Sequence, residues 1–405
     1  FAAGFALVAF AGIAFYQRSI ALHARDDARD AQRNVEGLTG YLTGLFSVAS
    51  PNQSRGRDVT AQEMLDTGAL VLRSNAERGP SWLPPSLLAL RAEPSIRAEL
   101  LHALGAVYRE RGELVAARSN LERALVLRRG DSTLVEVGRA STHVQLGHVL
   151  REQGHFAVSR EHFGRALEIR RVVLGADSSA VAECHDGLGL LEQSEGSLER
   201  AAEELHQAIT LRRSTGEPLA LAESLTHLAG VEIDRGRTDA AARLVAEAKG
   251  IREKLLGSDH PLIAEDFALL GRISYESERF SEAVGLYGKS LALRRQVLPA
   301  DHPDLALTLS DLGAAHLALG DLGGAEASLR EVVAMDRRLY PQGHPYLADA
   351  LLNLGATLQS AGRLAEAERE LRAALDIERG LADGDPLRTA SVLGRLAVVR
   401  RDRGD

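Results

Sequence analysis

The sequence predicts an all-α solenoid of stacked helix pairs, and three observations carry that reading. The stretch Leu351–Leu375 reads as two amphipathic helices around a tight turn at Ser360–Arg363. The turn glycine of that stretch, Gly362, belongs to a series: Gly112, Gly154, Gly196, Gly236, Gly320, Gly362 and Gly404, with Glu278 the one break. The steps are 42 residues, apart from 40 between Gly196 and Gly236. Seven residues before each turn lies a small residue: Gly105, Gly147, Gly189, Ala229, Gly271, Gly313, Gly355 and Ala397. A fixed period of this length is the mark of a helical repeat array. Glycine inside a helix costs roughly 1 kcal/mol against alanine, so its recurrence there implies that another backbone or side chain must come close. At the turn, glycine reaches positive φ without a Cβ penalty.

The bulk numbers agree with a globular chain of 405 residues, 45% hydrophobic and 26% charged, with net charge −8. Length alone suggests two or three domains; the repeat replaces them with one array. Mild acidity gives no reason to expect nucleic acid. The single cysteine, Cys184, excludes an internal disulfide framework and reads as a small buried hydrophobe.

Residues 1–16 are almost wholly apolar and read as a partial transmembrane helix, with Tyr16 and Arg18 at the interface. A signal-peptide core or a buried core helix are the competing readings. Residues 17–50 read as a long juxtamembrane helix. Mixed charges come first, then Val35, Leu38, Leu42, Leu45 and Phe46 on one face. Ser50-Pro51 ends it. Residues 51–94 hold a polar loop, a helix opened by the capping box Thr60-Ala-Gln-Glu63, and a loop carrying Pro80, Pro84, Pro85, Pro94 and Trp82. The array occupies 95–405: seven full repeats and a last first-helix over Thr389–Arg403. A finished solenoid carries polar caps, so both ends read as truncated.

Between repeats a second motif recurs at Asp259-His260-Pro261, Asp301-His302-Pro303 and Gly343-His344-Pro345, with Asp385-Pro386 a degenerate copy. Proline suits the first helical turn, and the residue before it can cap the helix. Three equivalent histidines at helix starts point to structural roles rather than a metal site. His148, His155 and His162 are seven apart, but His155 falls in a turn. Gly187-Leu-Gly189 lacks the third glycine and the preceding strand of a dinucleotide loop. No catalytic group, cofactor site or metal site is indicated.

A helix pair with Leu-x-Gly in the first helix (A), Gly at the turn and Ala-x6-Ala in the second helix (B) resembles the tetratricopeptide repeat. The 42-residue period with His-Pro linkers is similar to the variant found in kinesin light chains and many bacterial proteins. The resemblance implies antiparallel pairs stacked into a right-handed superhelix, with helix A lining a groove that holds a protein or peptide. It maps the groove onto Arg109, Gln145, His148, Arg151, Asp186, Gln193, His227, Arg272, Tyr275, Asp311, Asn353 and Gln359. On that mapping Arg109, Arg151 and Arg272 are the groups to pair with a peptide's carboxylates.

A second resemblance lies upstream, in Leu42–Pro51, Gly56–Ala69 and Arg97–Tyr108. These blocks resemble the region after the catalytic domain in bacterial membrane serine/threonine kinases with repeat tails. It implies a membrane anchor through residues 1–16, an extracytoplasmic array and a non-catalytic sensing role. Neither His-Arg-Asp nor Asp-Phe-Gly occurs, and Asp266-Phe-Ala is not the latter. A free-standing membrane-anchored or exported adaptor, with no kinase, is the alternative.

Overall fold

The structure is a computed structural model that describes residues 94–404, apart from Arg111, Asp131, 341–342 and 381–385. The expected membrane helix (1–16), juxtamembrane helix (17–50) and capped helix with its proline-rich loop (51–94) lie outside the described residues, Pro94 excepted. Among the described residues there are fifteen helices and no strand. None of the described helices is long and apolar enough to cross a membrane.

The chain divides into two compact units after Gly216. The first unit contains α1 (Pro94–Glu110), α2 (Leu114–Leu127), α3 (Thr133–Glu152), α4 (Phe156–Leu174), α5 (Ser179–Ser194) and α6 (Leu198–Thr215). The second begins with α7 (Pro218–Asp234), α8 (Thr238–Leu256), α9 (Ile263–Glu276), α10 (Phe280–Val297) and α11 (Pro303–Leu319). It continues with α12 (Leu322–Leu339), α13 (Pro345–Ser360), α14 (Leu364–Gly380) and α15 (Pro386–Arg403). Odd-numbered helices are A helices and even-numbered ones are B helices. Pro94, read from sequence as a loop residue, is instead the first residue of α1, and Pro386, the degenerate copy of the His-Pro motif, is the first residue of α15. A first-turn proline loses no hydrogen bond, because that N–H has no partner inside the helix.

Each pair is fastened by one knob in one notch, sixteen residues apart. A Cβ added to Gly105 would lie 2.5 Å from Leu121 Cγ, and one on Gly147 would lie 2.7 Å from Phe163. The same clash joins Gly189 to Leu205, Gly271 to Tyr287, Gly313 to Leu329 and Gly355 to Leu371. In the one described pair with alanine in the notch, Ala229, the knob shrinks to Val245, and the two share a core cluster. A methyl gained on one helix is offset by bulk lost on the other. Phe163 is the reverse case. Its ring also fills the space over Gly187 of α5, so one aromatic needs two glycines. All seven knobs are buried, each contributing roughly 1.5–3 kcal/mol of transfer free energy.

The turns repeat as closely as the notches. The amide after each turn glycine donates five residues back, as from His155 to the Leu150 carbonyl and from Arg363 to the Leu358 carbonyl, each near 2.8–2.9 Å. This is the Schellman closure, which needs a left-handed residue. Glu278 takes that role with φ 59°, the one non-glycine residue at positive φ among those described. It makes the same bond, from Arg279 N to Ser274 O at 2.8 Å. Two of the three His-Pro starts behave as expected, while Pro261 lies in a turn two residues before α9. His302 Nδ1 accepts from Asp304 N at 3.1 Å, and His344 Nδ1 accepts from Tyr346 N at 3.2 Å.

A third periodic position, near the end of each B helix, carries Arg128, Arg170, Arg212, Arg252 and Arg294, then Asp336 and Glu378. In the first unit Arg128 donates to Glu99 Oε1 at 2.6 Å, Arg170 pairs with Glu183 at 2.8 Å, and Arg212 pairs with Asp186 at 2.5 Å. In the second, Arg252 pairs with Asp266, and Arg294 donates to Thr308 Oγ1 and to the Asp304 carbonyl. At Glu378 the polarity is inverted, and Arg388 of α15 supplies the cation at 3.1 Å. Removing one member of such a buried pair typically costs about 3–5 kcal/mol, because the other is left uncompensated. Asp336 is the exception: it is buried, its carboxylate has no hydrogen-bond or ion-pair partner among the described residues, and burial pushes it up to about 6.

Three outcomes follow. Gly313→Leu should lower stability by about 1–3 kcal/mol through overpacking, and Leu329→Ala in the same chain should recover part of that in thermal unfolding. Glu278→Gly should raise stability by about 1 kcal/mol, since glycine escapes the left-handed penalty. Asp336→Asn should raise Tm at pH 8, with the gain shrinking as the pH falls below about 6 and lost only below the ordinary carboxylate value of 3.8. The raised folded-state value means that ionisation opposes folding only above the ordinary carboxylate range, and fully only above about pH 6. A gain independent of pH would count against this account.

Candidate groove site

In both units each A helix touches the next A helix as well as its own B helix, and no contact of comparable extent joins successive B helices. The A helices therefore form the inner face of each unit. The notch glycine turns one side of helix A toward its knob. The residues three and two before the notch, and one, four and five after it, fall on a flank centred about a quarter-turn round the helix from the notch, with the first and fourth of these nearest the B helix.

Along the edge of this face runs a ladder that joins neighbouring repeats. In the first unit Arg109 lies 4.0 Å from Glu152, and Arg151 donates to Ser194 Oγ at 3.2 Å and to Glu152 at 3.4 Å. Burial raises the Glu152 carboxyl, with Arg109 and Arg151 pulling the other way. In the second unit Gln359 Nε2 donates to Asp402 Oδ2 at 2.8 Å, and Arg272 pairs with Asp234. The residue four after one notch meets the residue five after the next in three of these rungs. The arginines expected to await a peptide's carboxylates are thus held by carboxylates and a hydroxyl of the protein itself. Such partly exposed pairs contribute little to stability, roughly 0–1 kcal/mol; they fix where the charge sits.

The other expected groove residues divide. Asp186 is not open to a ligand: it is buried in its pair with Arg212. Its helical register lies toward the B helix, so a short acid there meets the buried arginine before it meets solvent. His148 is half-buried with its ring edge-on to Phe163, centroids 5.1 Å apart. Gln145 is half-buried, and its Oε1 is buried without a partner. Gln193 and His227 are half-buried and Asn353 is exposed. Tyr275 is half-buried, edge-on to Phe280 with centroids 5.4 Å apart. Asp311 is half-buried, and among the described residues its carboxylate has no hydrogen-bond or ion-pair partner; burial pushes it up to about 6 against the pull of Arg272 and Arg294.

Ser194, Asp402 and the Tyr287 hydroxyl also belong to this face and were missed from the sequence. Ser194 and Asp402 sit five after a notch, where the period alone could have found them. Tyr287 could not be found that way, because it is a B-helix knob whose length carries it past the notch.

Elsewhere the chemistry is structural. His143 Nδ1 and His162 Nδ1 share a hydrogen bond at 2.8 Å. Burial, with His162 and two arginines, holds His143 at about 4, so it is uncharged at neutral pH. His162 thus meets His143 and not His148. Cys184 is fully buried, and burial pushes its thiol up to about 11. Among the described residues no three His, Cys, Asp or Glu are grouped to hold a metal.

Helix pairs of one length, each closed by a left-handed turn and docked through a glycine notch, define a helical repeat protein built for surface recognition. Comparison with known families gives the same answer. One tetratricopeptide repeat model matches residues 138–214, 220–296 and 278–338, and a second matches 347–386. Together these segments span more than half of the sequence, and the chain belongs to the tetratricopeptide repeat family. No curated protein matches it. Among solved structures, a Rap protein complexed with Competence and Sporulation Factor is similar with TM-score 0.52 and 13% identity, over 91% of this chain and 98% of that one. The apo form of RapI gives 0.51 and 15%, over 70% and 98%. A kinesin light chain repeat protein from Podosopora anserina gives 0.43 and 24%, over 50% and 96%. The shared element is the fold.

Proposed function

We propose that this chain is a non-catalytic interaction region that holds a protein or peptide on its A-helix face. The observation that carries the reading is the division of labour in helix A. The glycine side is spent on the knob, while the flank beside it presents polar and aromatic groups next to the inter-repeat ladder. Those groups include Gln145, Tyr275, Asp311 and Asn353. None of them is needed to close a repeat. The same fold holds Competence and Sporulation Factor in the Rap complex, which makes a bound partner a reasonable use of it here.

The finer reading places the array outside the cytoplasm, behind a membrane span at residues 1–16, as the sensing tail of a serine/threonine kinase. Its support is the upstream resemblance alone, through Leu42–Pro51, Gly56–Ala69 and Arg97–Tyr108. The genomic sequence preceding the codon for Phe1 tests it: a kinase domain there supports the tail, and a frame without one leaves the membrane-anchored or exported adaptor. Protease accessibility of the array in intact cells tests the side of the membrane.

A photo-crosslinking amino acid tests the face. Placed at Gln145 or Asn353 in the producing cells, it should yield higher-mass adducts. Placed at the exposed Val115, Val172 or Val297, it should yield none. Adducts confined to the valine positions would move the interaction to another surface.

A further inference from the structure

The second unit holds an imbalance that its own side chains do not resolve. On α7, α9 and α11 the inner face carries Asp234, Glu276 and Asp311 against one cation, Arg272. Arg272 is committed to Asp234. The other nearby cation, Arg294 of α10, is spent on Thr308 Oγ1 and the Asp304 carbonyl. Among the described residues, the carboxylates of Glu276 and Asp311 have no hydrogen-bond or ion-pair partner. Asp311 is also half-buried, where an unpaired carboxylate is costly. Two tyrosines stand beside it. The buried Tyr287 feels the charges of Asp311, Arg272, Tyr275 and Glu276, and its hydroxyl makes no hydrogen bond. Tyr275 presents a half-buried ring from the neighbouring A helix. An unpaired carboxylate, an acceptor hydroxyl and an aromatic ring are the groups that receive an ammonium or guanidinium.

We propose that Asp311, with Glu276, Tyr275 and Tyr287, forms a subsite for a lysine or arginine side chain of the bound partner. This rests on the reading of the A-helix face as the binding surface and gives that surface a charge preference. The preference is the reverse of the one the groove arginines suggest from sequence. In the second unit Arg272 has a carboxylate of its own in Asp234, and Glu276 and Asp311 are left over. A basic side chain entering here would supply Asp311 with its missing counter-charge. Arg272 and Arg294 also act on Asp311, the first offset by its pair with Asp234. The placement at the junction of α9 and α11, two helices in contact, puts the subsite along the run of an extended peptide rather than at an end of the unit.

The test uses the full chain and three mixed-sequence decapeptide pools, fixed at a central position as Arg, Glu or Ala and compared by retention on immobilised protein. The Arg pool should be retained over the Ala pool, and the Glu pool least, with the difference shrinking as salt is raised. Asp311→Asn removes the charge with little change in shape, and circular dichroism confirms that the repeats remain folded. It should cut the Arg-pool preference by about tenfold, the range of a charge-assisted hydrogen bond. Glu276→Gln should reduce it less. Equal retention of the Arg and Ala pools, or a preference that survives Asp311→Asn, would overturn the subsite while leaving the groove reading standing. Retention of no pool above a bare matrix, together with crosslinks only at the valine positions, would overturn both.

Discussion

The contact on which the rest depends is a side chain pressed against a helix that has none at that point. Six of the A helices give up a Cβ, at a helix-propensity cost of roughly 1 kcal/mol, so that a Leu, Phe or Tyr of the B helix can lie against the backbone. Burial of that knob more than offsets the cost. The consequence is directional as well as energetic. Once one side of helix A is fixed to its knob, the residues on the other side are fixed as well. The ladder from Arg109 to Glu152 and from Arg151 to Ser194 falls along one edge because the notches do. The Ala229–Val245 pair, with both members altered in opposite senses, shows that the sum of the two volumes is what the packing constrains.

Charge is used in two ways, and burial separates them. Near the ends of the B helices, arginines reach across to A helices inside the stack, as Arg212 does to Asp186 and Arg252 to Asp266. These pairs are worth keeping intact, but they are weak evidence of net stabilisation, because both partners had to leave water. Burial pushes the Asp266 carboxyl up to about 7 even with Arg252 beside it. The inversion at Glu378–Arg388 keeps the same attraction with its ends exchanged. What such pairs add is register: an arginine two positions away could not reach the acid.

On the inner face, by contrast, the charges lie at partial exposure, and their value lies in recognition. A stretch of surface whose cation is engaged and two of whose acids are not, as around Asp311, presents a preference to a partner that the formal count of arginines does not give. This separates a list of charged groove residues from the field they produce. The Tyr287 ring shows how the two uses meet, because the knob that closes a repeat also carries a hydroxyl toward the binding face.

The sequence by itself determined the repeat: the helix pairs, the turn at each glycine, the histidine caps before the prolines and the burial of Cys184. These are local or periodic matters, in which glycine, proline and apolar spacing state the backbone conformation directly. It also located most of the A-helix face, because helical spacing assigns faces without knowing neighbours. Only the tertiary structure decided which of those residues are available. Asp186 went to Arg212, the three arginines went to internal partners, and Asp311 was left alone. Partner choice among charges depends on distances between helices a whole repeat apart, and the period cannot give those. The same limit hid Tyr287, whose role on the far side of the notch follows from the length of a tyrosine and the absence of a Cβ on Gly271.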